Sequence, residues 1–268
     1  MILFREQTVE PAPNLPRSAS SQDGTLLSPS IQRVAGEQMA AFELKFLIRD
    51  SVAADVQDWA NSAMQRDAYA DPALGDAYQT TTLYLDTPQR DVFRRAPGHR
   101  RSKFRLRRYG CESRVFLERK SRHGDRVAKR RCDVQLDELP AVLSPEPTGA
   151  WPGEWFRERV AQFAFQPACL LTYDRTAFFK ITDDGPLRMT LDRRIRGQAN
   201  DSWDLTPLHN GQSILDDHVV CEFKFRGSMP GLFKDVIQTL KLEAGSVSKY
   251  RRMMLATGLI CEEGRGYA

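Results

Sequence analysis

Residues that commonly build enzyme sites are sparse in this 268-residue chain, which has four histidines and five cysteines. His99, His123, His209 and His218 are too dispersed for a metal triad, and no Ser, His and Asp grouping has the spacing of an acyl-transfer nucleophile. Cys111, Cys132, Cys169, Cys221 and Cys261 are odd in number and include no C-x-x-C pair, which argues against a disulfide framework or a zinc site and fits a reducing cytoplasm. Neither G-x-x-x-x-G-K-[ST] nor G-x-G-x-x-G occurs, so ATP, if it binds, is held by neither common glycine-rich route. No apolar run approaches the roughly 20 residues that cross a bilayer, and Met1-Ile2-Leu3-Phe4 is too short for a signal-peptide core.

The chain does have charge in a pattern. An apolar fraction of 41% with 28% charged residues suits one substantial soluble domain, and the net charge is only +4. Arg94 to Arg131, however, hold sixteen Lys/Arg against Glu112, Glu118 and Asp125, a net +13 within 38 residues that should attract anions. Residues 1–38, with Pro11, Pro13, Pro16, Pro29 and a Ser-rich stretch, read as a flexible tail. The domain is expected over 39–262, with a short tail at 263–268.

Within that domain the periodicity predicts a strand near 41–48 and a helix from Asp50 or Ser51 to about Asp67, with Val52, Val56, Trp59 and Ala63 on one stripe. Strands follow near 80–86, 103–109, 114–120 and 126–134, the last three separated by hairpin turns at 110–113 and 123–125. A helix near 154–163 interrupts, then strands near 169–180, 187–193 and 219–226 lead to two C-terminal helices, from Pro230 and from about Val247. Eight strands with few helices between them favour an α+β fold with an antiparallel sheet, and eight is enough to close a small barrel.

On strand after strand the charges share one alternating face: Glu43 with Lys45, Arg105 with Arg107, Glu118 with Lys120, Tyr173 with Arg175, Arg188 with Asp192, and Glu222 with Lys224. The dense apolar faces must be covered by helices. Periodicity alone does not decide whether the charged faces meet bulk water, as exposed ion-pair ladders commonly do, or line a wet channel. Arginine suits bidentate contacts to phosphate, and carboxylates among such cations, with Glu222 and Glu43 the candidates, suit Mg²⁺ or Mn²⁺. The basic block is also compatible with a nucleic-acid patch, but its strict alternation is that of a barrel wall more than of a stacking platform, so no specific nucleic acid is expected.

Several ordered motifs resemble the VTC domain, the polyphosphate polymerase branch of the triphosphate tunnel metalloenzymes: Glu43-Leu44-Lys45-Phe46, Leu83-Tyr84-Leu85-Asp86-Thr87, Arg105-Leu106-Arg107-Arg108-Tyr109, Leu117-Glu118-Arg119-Lys120, Tyr173-Asp174-Arg175-Thr176-Ala177-Phe178, Cys221-Glu222-Phe223-Lys224 and Ser248-Lys249-Tyr250. The resemblance covers about 41–256. It implies an eight-stranded antiparallel β-barrel tunnel with helices outside, in which Lys45, Arg105, Arg107, Lys120, Arg175, Arg188, Lys224 and Lys249 hold a phosphate chain. It further implies that Tyr173 and Ser248 contact phosphate and that Glu222 binds manganese or magnesium. In such polymerases the γ-phosphate of ATP passes to a polyphosphate chain that leaves through the tunnel. The superfamily's Glu-x-Glu-x-Lys strand begins here with Ala41, which leans away from a plain triphosphatase. Hydrolysis of triphosphate or a nucleoside triphosphate, and a non-catalytic polyphosphate or nucleotide sensor, are the alternatives. Eukaryotic members carry fused membrane-spanning regions, so a membrane-protein partner at the inner face of the membrane stays open.

Overall fold

The computed structural model describes residues 36–146, 149–258 and 260. The expected tails lie outside the described residues, except for 36–38, which are strand. Eight long strands follow the alternating segments: β1 (Gly36–Arg49), β2 (Tyr78–Asp86), β3 (Ser102–Tyr109), β4 (Arg114–His123), β5 (Arg126–Gln135), β6 (Gln166–Thr182), β7 (Gly185–Ala199) and β8 (His218–Phe225). Two-residue strands at Gln65–Arg66 and Gln212–Ser213 add to β6 and β7. All pairings are antiparallel, in the order β6-β2-β3-β4-β5-β1-β8-β7, and β7 pairs back to β6, closing a ring. Tight turns permit this order: the β3–β4 and β4–β5 hairpins each use a glycine at positive φ, Gly110 (50°) and Gly124 (58°).

β1 starts earlier than the alternation suggests. Gly36, Glu37 and Gln38 register with Arg131, Arg130 and Lys129 of β5, and the register then shifts before Ala41. Such an irregularity breaks the period by which a strand is recognised in sequence.

Among the described residues five α-helices lie outside the ring: α1 (Asp50–Ala63), α2 (Asp91–Arg94), α3 (Glu154–Phe163), α4 (Gly231–Thr239) and α5 (Lys249–Ala256). The expected Asp50 or Ser51 cap is corrected. Arg49 is the N-cap and makes no side-chain cap, because β1 runs straight into α1; Asp50 instead accepts from Arg193 Nε at 3.1 Å. α1 also stops before Asp67, at Met64, where extended backbone leads into the pairing of Gln65–Arg66 with β6.

The apolar core is therefore split into layers between ring and helices. Phe46, Phe178, Met189, Leu191, Cys221 and Phe223 pack under Val56 and Ala60 of α1 and Phe233 and Val236 of α4. On the other side Leu83, Leu85, Phe104, Leu106, Leu117 and Val134 pack under Val92 and Phe93 of α2, Phe156 and Val160 of α3, and Met253 and Met254 of α5. With both layers outside, the alternating charged faces point inward. The channel alternative is the one the fold adopts.

Candidate functional site

Register places charge against opposite charge inside the ring, since antiparallel partners share a face. Glu43 stands opposite Lys224 and Lys45 opposite Glu222 on β1 and β8. Lys45 Nζ lies 2.8 Å from Glu43 and 2.6 Å from Glu222, and Lys224 Nζ lies 3.0 and 3.1 Å from the same two carboxylates. Lys120 of β4 adds a contact of 2.5 Å to Glu43. Burial and Glu222 push the Glu43 carboxyl up, but Lys224, Lys120 and Lys45 outweigh both and hold it well below the usual carboxylate range. Glu222 is likewise held down, by Lys224, Lys45 and Lys120 against its burial. Lys120 moves the other way: burial drives its ammonium down to about 7, although both carboxylates resist.

A third carboxylate, Glu118 of β4, is fully buried among cations of β3 and β5. It accepts from Arg105 Nε at 2.7 Å and Arg131 Nε at 2.6 Å, with Lys129 at 3.7 Å and Arg107 at 3.9 Å. The fourth, Asp192 of β7, takes a bidentate pair from Arg175 at 2.6 and 2.8 Å and a contact from Lys249 Nζ at 2.5 Å. Arg175 and Lys249 both sit over the ring of Tyr173, at 5.4 and 4.9 Å from its centroid.

These groups surround a cavity of about 880 Å³ lined by thirteen Lys/Arg side chains against Glu43, Asp125 and Glu222. Its mouth is built by the segment after β2 and by the approach to α5. Asp86 accepts from the backbone N–H groups of Thr87, Val92 and Phe93 at 2.7, 2.8 and 3.0 Å and from the hydroxyl of Tyr250, so one carboxylate ties α2 to α5. Arg251 donates to Phe93 O at 3.0 Å, and Ser248 caps α5 by accepting from Arg251 N–H at 3.2 Å. Lys103 Nζ reaches Ser248 Oγ at 2.8 Å. Burial, with Arg105, Lys45, Arg95 and Arg251 around it, pushes the Lys103 ammonium down to about 8.

The VTC-domain family model matches residues 40–257. The chain belongs to the VTC-domain family. No curated protein matches it. Among solved structures, a Bacillus halodurans protein proposed to be an adenylate cyclase is similar over 80% of this chain and 95% of its own, at 13% identity and a TM-score of 0.49. A Hippeastrum protein, likewise proposed to be an adenylyl cyclase and described as having a dominant triphosphatase activity, is similar over 82% and 97%, at 13% identity and a TM-score of 0.48. PH1819 of Pyrococcus horikoshii is similar over 81% and 98%, at 14% identity and a TM-score of 0.43.

Of the twelve residues singled out in sequence, eleven line the cavity of this VTC domain. The exception is Arg188, which pairs with Asp67 at 3.1 Å and donates to the Tyr78 hydroxyl at 3.2 Å, apart from the cavity wall. Sequence reading passed over Lys103, although it continues the alternation of Arg105 and Arg107. It also passed over Arg95 and Arg251, which sit on a turn and a helix, where no period marks them. Glu118 and Asp192 were visible as charged strand residues, but their role as counter-charges to several cations depends on strand order.

The donor set fits a divalent cation completed by substrate oxygens. Glu43 and Glu222 are held ionised, share Lys45 and Lys224, and are hard oxygen donors. Thr190, opposite Glu222 in register, has a buried hydroxyl with no hydrogen-bond partner among the described residues. Among those residues no group of three His, Cys, Asp or Glu side chains is placed to hold a metal by itself. Mg²⁺ commonly binds through one or two carboxylates plus substrate phosphates.

Proposed function

We propose that this VTC domain is a metal-dependent phosphotransferase that moves the γ-phosphate of ATP onto a polyphosphate chain held in the tunnel. The observation that supports it best is the cavity wall, with thirteen cations against three carboxylates, two of them side by side. Phosphoryl transfer asks little covalent chemistry of a protein; it needs reacting groups in line and charge neutralised. Arg105 and Arg107 on β3 and Arg175 on β6 would grip phosphate oxygens with planar guanidinium groups fixed by Glu118 and Asp192. Lys45, Lys120 and Lys224 would exchange their carboxylate contacts for substrate charge. Glu222 and Glu43 would hold Mn²⁺ or Mg²⁺, which would supply positive charge to offset that of the phosphate.

Hydrolysis of triphosphate, with water as acceptor, is the second reading, and one feature favours it: Tyr69, Tyr78, Tyr109 and Phe116 cluster, with Tyr78 and Phe116 opposite the cavity-lining Arg175 and Arg107 in register, where a long chain would otherwise pass. The test is to incubate the purified protein with Mn²⁺ or Mg²⁺ and either ATP or triphosphate, resolving polyphosphate on gels beside released orthophosphate. Chains growing from ATP are the expected result. Orthophosphate without chains makes the protein a hydrolase; neither product, with triphosphate still raising the melting temperature, makes it a binding module. Glu222→Gln should abolish turnover while the protein remains folded, and full activity in that variant would remove Glu222 from the metal site.

A further inference from the structure

The inner end of the tunnel is built unlike its mouth. Tyr78 of β2 and Phe116 of β4 are register partners of Arg175 and Arg107, which line the cavity, so both rings face the same interior. Tyr109 of β3 joins them, and Tyr69 enters from the loop between α1 and β2. The four rings contact one another: centroids are 5.6 Å apart for Tyr78 and Tyr109, 5.5 Å for Tyr109 and Phe116, and 5.8 and 6.0 Å from Tyr69 to Tyr78 and Tyr109. Tyr78, Tyr109 and Phe116 are all buried.

This cluster is anchored by cations that would otherwise be free to meet phosphate. Arg131 donates to the Tyr109 hydroxyl at 3.1 Å and lies 4.3 Å over the ring of Phe116. Arg188 donates to Tyr78, and its partner Asp67 is pinned by its own N–H to Ala177 O at 2.8 Å. A phosphate advanced past Arg107 would meet ring faces, whose negative quadrupole repels an anion, and cations already paired with Glu118 and Asp67.

We propose that the Tyr69–Tyr78–Tyr109–Phe116 cluster closes the tunnel to phosphate and sets how much of a chain the protein can hold, so that the chain enters and leaves by one mouth. The inference rests on the phosphate-chain reading above and goes beyond it in naming a length determinant.

The test uses the full chain and measures affinity, without turnover, for triphosphate and for linear polyphosphates of increasing defined length. For the wild type, affinity should rise with length until the pocket is filled and then level off. Tyr109→Ala should move that plateau to longer chains and raise affinity for them severalfold, leaving triphosphate affinity little changed. Tyr69→Ala, a half-buried loop residue, should do the same to a lesser degree and keeps the test open if Tyr109→Ala does not fold. A wild-type affinity that keeps rising with length, or a plateau unmoved in a folded variant, overturns the plug while leaving phosphate binding intact. A wild type that binds no phosphate chain at all overturns the functional reading and the plug with it.

Discussion

Asp192 shows how the tunnel wall is held together. It is almost fully buried and pairs with two cations, Arg175 and Lys249, so neutralising it removes a counter-charge from both. Removing one partner of a buried ion pair typically costs about 3–5 kcal/mol, because the remaining charge is left uncompensated. Asp192→Asn should therefore lower stability by an amount of that order in denaturant unfolding, and triphosphate should restore more of it than it adds to the wild type. Equal stability with and without the carboxylate would show that solvent already neutralises the two cations. At this scale the sequence was informative where charges alternate along a strand: Glu43, Lys45, Glu222 and Lys224 were all legible as one face. Arg188 keeps the alternation too, opposite Lys224 in register, but its side chain turns to Asp67, a residue on a non-periodic loop that no strand pattern could place beside it.

Among the elements, β8 and α4 carry the strongest coupling between outside and inside. Phe223 stacks on Phe233 with centroids 4.5 Å apart, and Trp59 and Phe225 complete the cluster at 6.4 and 6.2 Å from Phe233. Phe223 is the residue between Glu222 and Lys224, so α4 fixes the strand that presents both to the cavity. Phe233→Ala should cost about 3–5 kcal/mol, as large-to-small changes of a buried Phe do, measured by denaturant unfolding; a loss below about 1 kcal/mol would mean the layer collapses around the gap. The strands were readable because their outer faces are apolar and their inner faces charged. α2 was not, since its four residues are too few for a helical period and its start is set by Asp86, whose carboxylate gathers three backbone N–H groups. The late finish of β7, at Ala199, was also missed: the ladder resumes beyond a bulge opposite Thr172–Asp174, and a bulge inverts the alternation.

For the molecule as a whole, periodicity could not separate an open sheet from a ring, because both present one charged and one apolar face per strand. Closure depends on β6 pairing with β2 as well as with its hairpin neighbour β7, and the β2–β6 pairing is a long-range fact that the motif order suggested only through resemblance. Closure makes protonation a property of the whole cavity. The Lys103 ammonium, lowered from the ordinary 10.5 to about 8, binds its proton less tightly than in the unfolded chain. Its cost to folding is thus fully present below about pH 8 and is relieved as pH rises toward 10.5. Melting curves of the empty protein should gain from this group across that window while the added stabilisation by triphosphate shrinks, and Lys103→Met should weaken both trends; parallel trends in the variant would assign them elsewhere. The paired interior has a last consequence for how anything gets in. Because Lys45, Lys120 and Lys224 already rest on Glu43 and Glu222, a polyanion reaching these lysines would compete with internal counter-charges, as at an ion exchanger. Entry then selects for charge density before shape, and compact polyanions that are not phosphates should compete for the same lysines.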